Sequence, residues 1–184
     1  MRTRARRFGA SLLLLLLAGC GAEASADTPP APPPVAPDIP AAAAGGVCQL
    51  LDYVLIERIV GVKFDIAAAQ KVDKTYTCAV QSMGAARPDL VLSVTVTQAD
   101  AEVFKEELIP EGGAAVKGLG KAAYRQIRGA GGSAGPGVEV GWLTADARLI
   151  VLRYTFAPGE PKSAAEALGP KLVDLAKEIN QTSV

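Results

Sequence analysis

The first quarter of the chain cannot contribute to a globular core, so any fold must form in what remains. Residues 1–7 include four arginines and no acidic residue, and residues 8–18 are an apolar run with six consecutive leucines. Residues 21–46 contain seven prolines mixed with alanines and few bulky apolar side chains. Such a composition is typical of an extended spacer without a core of its own. Residues 47–184 are enough for one hydrophobic core and too few for two comfortable domains.

The N-terminal segment predicts export and lipid attachment. A basic start followed by a short apolar run is typical of a secretory signal, and the run is shorter than the ~20 residues that cross a bilayer. It ends in Leu-Ala-Gly-Cys at Cys20, which resembles the bacterial lipobox. The resemblance implies cleavage before Cys20 and acylation of its thiol, with palmitate as a usable label. We therefore expect a lipoprotein signal peptide over 1–19, a lipid anchor and Pro/Ala-rich linker over 20–46, and an extracytoplasmic domain over 47–184. An uncleaved N-terminal membrane anchor is the alternative interpretation.

The charge balance indicates that only the lipid would hold the chain at the outer face of the cell membrane. The whole chain has 19 basic and 19 acidic residues, and loss of the four signal arginines leaves 15 basic against 19 acidic. A mature chain with a net charge of about −4 has no polybasic route to a membrane surface. It also has no basic stripe, so no nucleic-acid partner is predicted.

The chemistry available to the chain is narrow. It contains no histidine, which excludes Ser-His-Asp and Cys-His catalysis and every histidine-containing metal site within this chain. No GxxxxGK[ST] or SxxK motif is present. Glu102, Glu106 and Glu107 cluster on a predicted helix with a lysine between them, a pattern more typical of a solvated face than of acid–base chemistry. We therefore predict no cofactor, no metal and no enzymatic activity.

Two cysteines remain once Cys20 is assigned to the lipid. They are Cys48 and Cys78. In the oxidising space outside the cell membrane a disulfide between them is the default expectation. Two buried free thiols are the alternative.

Three helices are predicted. Apolar residues at helical spacing indicate the first over residues 49–60, with Gly61 as its stop signal. A short helix should begin near Asp100 and turn Phe104 inward. The last helix should run almost to the C-terminus and kink or restart at Pro170.

The strands are predicted from alternation of apolar and polar residues, which is clearest over residues 90–97. Their short connections favour antiparallel pairing. The fold class is therefore α+β, a single domain with an antiparallel sheet of about five or six strands and helices packed on one face. The predicted strands are residues 62–68, 75–82, 90–97, a segment ending near 128, and a hairpin of 138–144 with 149–156.

One combination of motifs resembles a known family. The lipobox, the Pro/Ala linker, Cys48-Gln-Leu-Leu at the head of a helix that ends in Gly61, and Cys78 as second cysteine are similar to a family of actinobacterial cell-envelope lipoproteins of unknown function. Its Gly-Leu-Gly-Asp-x-Ala-Tyr-like step is matched in part by residues 118–124, where Lys121 replaces the acidic residue. The resemblance implies an envelope lipoprotein with an α+β domain and one disulfide, and it carries no catalytic residues.

Two functional hypotheses follow from the sequence. The first is a non-enzymatic binding or protein-interaction module held outside the membrane, whose ligand is an envelope protein, a lipid or a wall component. The second is a cell-envelope enzyme that works with carboxylates and lysines alone. Two close carboxylates in a cleft would favour the enzyme, whereas an apolar cavity or a flat sheet with an exposed apolar patch would favour the binding module.

Overall fold

The structure, a computed structural model, describes residues 39–182, which form one sheet of seven antiparallel strands with three helices. The α+β class is confirmed, and the expected count of five or six strands is wrong. The strands are β1 (Ile66–Val72), β2 (Thr75–Gln81), β3 (Asp89–Val96), β4 (Ala114–Ala115), β5 (Ala122–Arg128), β6 (Gly137–Leu143) and β7 (Arg148–Thr155). The helices are α1 (Tyr53–Val60), α2 (Ala101–Val103), which a π-helical turn continues over Phe104–Leu108, and α3 (Lys162–Thr182).

The sheet consists of two meanders that meet in the middle. The strand order is β1-β2-β3-β7-β6-β5-β4, so the last strand pairs with the third. The segment that contains α2 connects β3 to β4, which lies at the far edge of the sheet. From there β4, β5, β6 and β7 pair in sequence, and β7 pairs with β3. The first and fourth strands therefore form the two edges of the sheet.

The main core lies between one face of the sheet and the helices α1 and α3. Strand alternation turns Leu90, Leu92 and Trp142 toward these helices, and each is fully buried. The indole Nε1 of Trp142 donates a hydrogen bond of 3.0 Å to the side-chain oxygen of Asn180 on α3. The apolar stripe of α3 completes the core, and it consists of Leu168, Leu172, Leu175, Ala176 and Ile179.

The first helix begins at Tyr53 rather than at residue 49, because its N-cap residue, Asp52, lies inside the predicted segment. The Asp52 carboxylate accepts hydrogen bonds from the amides of Val54 and Leu55, which satisfies two of the unpaired donors at a helix start. A 3₁₀ turn, Gly46–Leu50, precedes it. The predicted stop is confirmed, since Gly61 adopts a left-handed conformation with φ of 85°.

Cys48 and Cys78 form a disulfide bond, as expected, with a Cα–Cα distance of 5.0 Å. Both cysteines are fully buried. The bond joins the 3₁₀ turn Gly46–Leu50 to the middle of β2, so it fixes the segment before α1 onto the sheet. Ordered structure already begins inside the predicted linker, where Ala41 starts a short 3₁₀ turn and is buried in the main core.

The other two helices depart from expectation. The last helix runs unbroken through Pro170, so the predicted restart there is wrong. The second begins at Asp100 as expected, with its carboxylate accepting from two backbone amides. It packs on the opposite sheet face, where Phe104 contacts Tyr124 and Leu143 in a separate small cluster. No helix of the described part of the chain is both long enough and apolar enough to cross a membrane.

Candidate functional site

The face of the sheet opposite α1 and α3 carries the candidate site. Its central area, which we call the open face, has no described helix packed on it, because Phe104 and its neighbours cover only the corner at the start of β5 and the end of β6. All of its side chains are half-buried. The open face consists of Thr75, Thr77 and Ala79 on β2, Val91, Ser93 and Thr95 on β3, and Val151 and Arg153 on β7.

Hydroxyl pairs and two valines make up the middle of the open face. The hydroxyls of Thr75 and Thr95 lie 2.9 Å apart, and those of Thr77 and Ser93 lie 3.4 Å apart. Val91 lies opposite Arg153, and Val151 lies opposite Ser93. Because the hydroxyls are paired across strands, covering this area with another protein would leave few polar groups without a partner.

A buried hydrogen-bonded chain borders the open face on β5 and β6. The Tyr124 hydroxyl donates to Glu139 Oε1 at 2.8 Å, and Arg128 Nη1 lies 3.2 Å from Glu139 Oε2. Glu139 is 8% exposed. A Cβ at Gly141 would overlap the Tyr124 ring, so glycine is required there for the ring to lie across β6 and reach Glu139. Burial, and the hydrogen bond to Glu139, raise the pKa of Tyr124, so its hydroxyl remains a donor at neutral pH.

A second ion pair borders the open face at the start of β3. Arg87 Nη1 lies 3.4 Å from Asp89 Oδ1, and Asp89 is 7% exposed. Within the described residues, neither Asp89 Oδ1 nor Arg87 Nε makes a hydrogen bond. This pair is therefore a place where a partner could satisfy buried polar atoms.

The two buried carboxylates do not form a pair. Asp89 is opposite Thr155 on β7, whereas Glu139 is opposite Arg153, two residues earlier on that strand. Two strand spacings and two residues along the strand place the Cα atoms of Asp89 and Glu139 about 12 Å apart. Each carboxylate is also paired with its own arginine, Asp89 with Arg87 and Glu139 with Arg128.

A groove of about 330 Å³ lies at the other side of the sheet, between β4 and α3. Arg125, Asp174 and Lys177 line it together with small apolar residues. Asp174 lies 3.8 Å from Lys177 in an exposed ion pair. Such a charged, open groove differs from the enclosed apolar cavities that hold lipids or small molecules.

The structure places the residues that the sequence singled out in different environments. Cys20 lies outside the described residues. Glu102, Glu106 and Glu107 are exposed, as expected of a solvated face. Within residues 39–182, no three acidic or cysteine residues are arranged to hold a metal ion.

Sequence reasoning missed the residues that border the open face. One signal was available, because Glu139 interrupts the apolar run Val138–Leu143. A charge at such a position in a strand indicates either an inward-facing pair or a site, and the structure shows the partners Tyr124 and Arg128. The pairing of Arg87 with Asp89 had no comparable signal, since both lie outside any predicted motif.

Comparisons with known proteins show no similarity. No protein-family profile matches the chain, and neither a curated protein nor a solved structure is significantly similar to it.

Proposed function

We propose that this chain is a lipid-anchored extracytoplasmic lipoprotein whose domain is a non-enzymatic protein-interaction module, with the open face as its contact surface. The observation that carries the proposal is that the open face is a mixed apolar and polar sheet surface on which no described helix packs, while the opposite face holds the core. Interfaces between proteins combine such an apolar centre with a polar, hydrogen-bonding rim.

The chemistry of the open face fits a protein better than a lipid or a wall component. Val91 and Val151 supply a small apolar centre, the hydroxyl pairs surround it, and Arg153 lies between the two bordering ion pairs. The face belongs to a sheet, so a flat partner surface could cover it without rearrangement of the backbone. A lipid tail would need an apolar cavity, whereas the open face combines its valines with hydroxyl groups and Arg153.

The anchor is supported by the sequence and by the disulfide. The basic start, the apolar run and the lipobox at Cys20 predict export and acylation. The Cys48–Cys78 bond is what an oxidising compartment produces. The proline-rich linker before Ile39 would place the domain at some distance from the lipid surface, where a protein partner could reach the open face.

The alternative, an envelope enzyme that uses carboxylates, finds less support. The buried carboxylates Asp89 and Glu139 are each paired with an arginine and lie on strands separated by β7. The exposed glutamates of α2 and the turn after it are not among the residues that line the groove between β4 and α3. Neither set presents two carboxylates to one reacting bond.

The proposal is tested by photocrosslinking in the native cell envelope. A photoreactive amino acid replaces Val91 on the open face or, as a matched control, Val54, which is 75% exposed on α1. We expect a protein adduct of defined mass from position 91 and none of that mass from position 54. Identical adducts from both positions, or none from position 91, would contradict the assignment of the open face.

The anchor is tested separately at Cys20. The Cys20→Ser variant should incorporate no labelled palmitate, whereas a Ser25→Ala control in the linker should be labelled as the wild type is. Labelling of the Cys20→Ser variant would show that the lipobox assignment is wrong.

A further inference from the structure

The edge strand β1 presents a full row of unpaired backbone groups. It pairs with β2 over seven residues, Ile66–Val72, and within the described residues nothing pairs with its outer side. It contains no proline, and its single charge, Lys71, lies 5.0 Å above the Tyr76 ring on the helix-facing side. Proteins normally protect a long edge with charges, prolines or bulges, because an open edge is a template for pairing with another chain.

The hairpin geometry identifies which groups of β1 point outward. The turn between β1 and β2 has two residues, Asp73 and Lys74, so Val72 and Thr75 form the hydrogen-bonded pair that closes the hairpin. Counted from Val72 toward the N-terminus, every second residue of β1 therefore forms backbone hydrogen bonds to β2. The N–H and C=O groups of the residues between them, Ala67, Ala69 and Lys71, point away from the sheet.

Two exposed apolar side chains lie symmetrically about the middle of this edge. Ile66 is 41% exposed and Val72 is 57% exposed, and each is three residues from Ala69. Both are on the sheet face that includes the open face, because residues of equal parity in a strand share a face. We propose that β1 is a homodimerisation edge, at which it pairs antiparallel with β1 of a second copy about a twofold axis through Ala69.

In this register the outward-pointing backbone groups form hydrogen bonds, and the exposed apolar side chains are covered. It places Ala69 opposite Ala69 of the second copy and Ala67 opposite Lys71, and these outward-pointing residues form the hydrogen-bonded pairs. It also places Ile66 of each copy opposite Val72 of the other, so the exposed apolar side chains cover each other. A shift of this register by two residues in either direction reduces the number of paired residues. It also leaves Ile66 and Val72 without an apolar partner in the second copy.

The lysine does not obstruct this pairing. In the proposed register Lys71 faces Ala67, a small residue, and two Lys71 side chains are four residues apart along the strands. The contact of Lys71 with Tyr76 already directs its ammonium group over the helix-facing side. Like charges directly opposite each other, which destabilise a strand pair, are therefore avoided.

The dimer would join two seven-stranded sheets into one continuous sheet with both open faces on the same side. A pairing that is one strand wide buries little surface, so we expect it in the class of weak or transient interfaces below about 1,200 Å². Two open faces side by side would give a bivalent surface for a partner. The dimer does not depend on what binds the open face.

Mixed disulfide formation tests the register directly. In the proposed pairing residue 68 lies opposite residue 70 of the second copy, as a close non-hydrogen-bonded pair of about 4.5 Å between Cα atoms. Differently tagged full-length Ala68→Cys and Gln70→Cys proteins, mixed and oxidised, should give a mixed disulfide-linked dimer. Each variant alone should crosslink far less, since identical positions are about 8 Å apart, beyond the reach of a disulfide. Absence of the mixed species, or equal yields from the single variants, would overturn the register.

Molar mass measurements of the detergent-solubilised full chain test the interface. The Ile66→Lys/Val72→Lys variant should raise the dimer dissociation constant by at least about tenfold, because both apolar contacts of the dimer are lost. The matched Val54→Lys variant removes a more exposed valine elsewhere and should leave the constant unchanged. Equal effects of both changes, or a wild type that is monomeric at every concentration, would overturn the proposal.

Discussion

Removal of the Cys48–Cys78 crosslink should cost a substantial part of the stability of this domain. The bond closes a loop with a sequence separation of 30. Loop-closure entropy for about 30 residues corresponds to about 3.6 kcal/mol at 25 °C. Domains have only about 5–15 kcal/mol of total stability. An entropy of unfolding near 2.1 cal/mol/K per residue then predicts a fall in Tm of about 12 °C for a domain of about 140 residues.

The assay compares three forms by urea and thermal unfolding followed by circular dichroism. They are the oxidised wild type, the wild type kept reduced, and the Cys48→Ala/Cys78→Ala variant. The reduced form isolates the crosslink, because it keeps both sulfur atoms in the core. The double variant adds the loss of two buried sulfurs, so it should be less stable than the reduced wild type.

One result would refute the reasoning about the crosslink. If oxidised and reduced wild type unfolded at the same urea concentration and the same temperature, the loop closure would contribute nothing to stability. A non-reducing peptide map would then decide whether Cys48 and Cys78 are joined at all.

Three further predictions concern single residues. Tyr124→Phe should lose about 1.5–3 kcal/mol at neutral pH, since a buried hydrogen bond to the charged Glu139 disappears. Because the folded pKa of Tyr124 is raised above its unfolded value of about 10, its contribution is fully present below pH 10 and is lost as the pH rises further. The stability difference between wild type and variant, measured by urea unfolding, should therefore narrow above pH 10, and a constant difference would contradict the assignment. Gly141→Ala should cost about 1–3 kcal/mol by displacing the Tyr124 ring, and absorbance titration should then show that tyrosine ionising at lower pH. Asp52→Ala should cost about 1 kcal/mol through loss of the N-cap of α1, a loss that an Asn replacement should largely avoid.

The parts of the fold with strong local patterns could be predicted from the sequence. The strand at Asp89–Val96 alternates between buried and more exposed residues from Leu90 onward, so its period of two is clear. Gly61 and Asp100 mark helix ends through backbone geometry that few other residues provide. The Cys48–Cys78 pairing could be expected because the predicted use of Cys20 for the lipid left only these two cysteines.

The strands that were misplaced or not predicted from the sequence have no clear alternation of apolar and polar residues. The strand β1 has the sequence Ile-Ala-Ala-Ala-Gln-Lys-Val and lies at an edge of the sheet. Almost every residue in it is exposed, so its burial does not alternate. It was expected over residues 62–68 and lies at Ile66–Val72. The strand β4 has two alanines, too few for any periodicity. Its presence is why the sheet has seven strands.

The candidate site depends on pairing between distant segments, which no local pattern encodes. The open face exists because β3 pairs with β7, two strands that are more than fifty residues apart in the chain. That pairing brings Val91 opposite Arg153 and sets both bordering ion pairs on one side of the sheet. The sequence showed Glu139 in an apolar run, but its partners became visible only with the register of β5 and β6.

The most direct measurement of the central claim compares thiol labelling in intact cells and in the purified protein. Ser93→Cys places a nearly isosteric thiol on the open face, and Ser163→Cys places one on the exposed start of α3. With a membrane-impermeant maleimide, we predict that Cys at position 93 reacts several-fold more slowly in cells than in the purified protein, whereas position 163 reacts equally in both. Equal ratios at the two positions would show that the open face is not covered by a partner, and would contradict the proposed function.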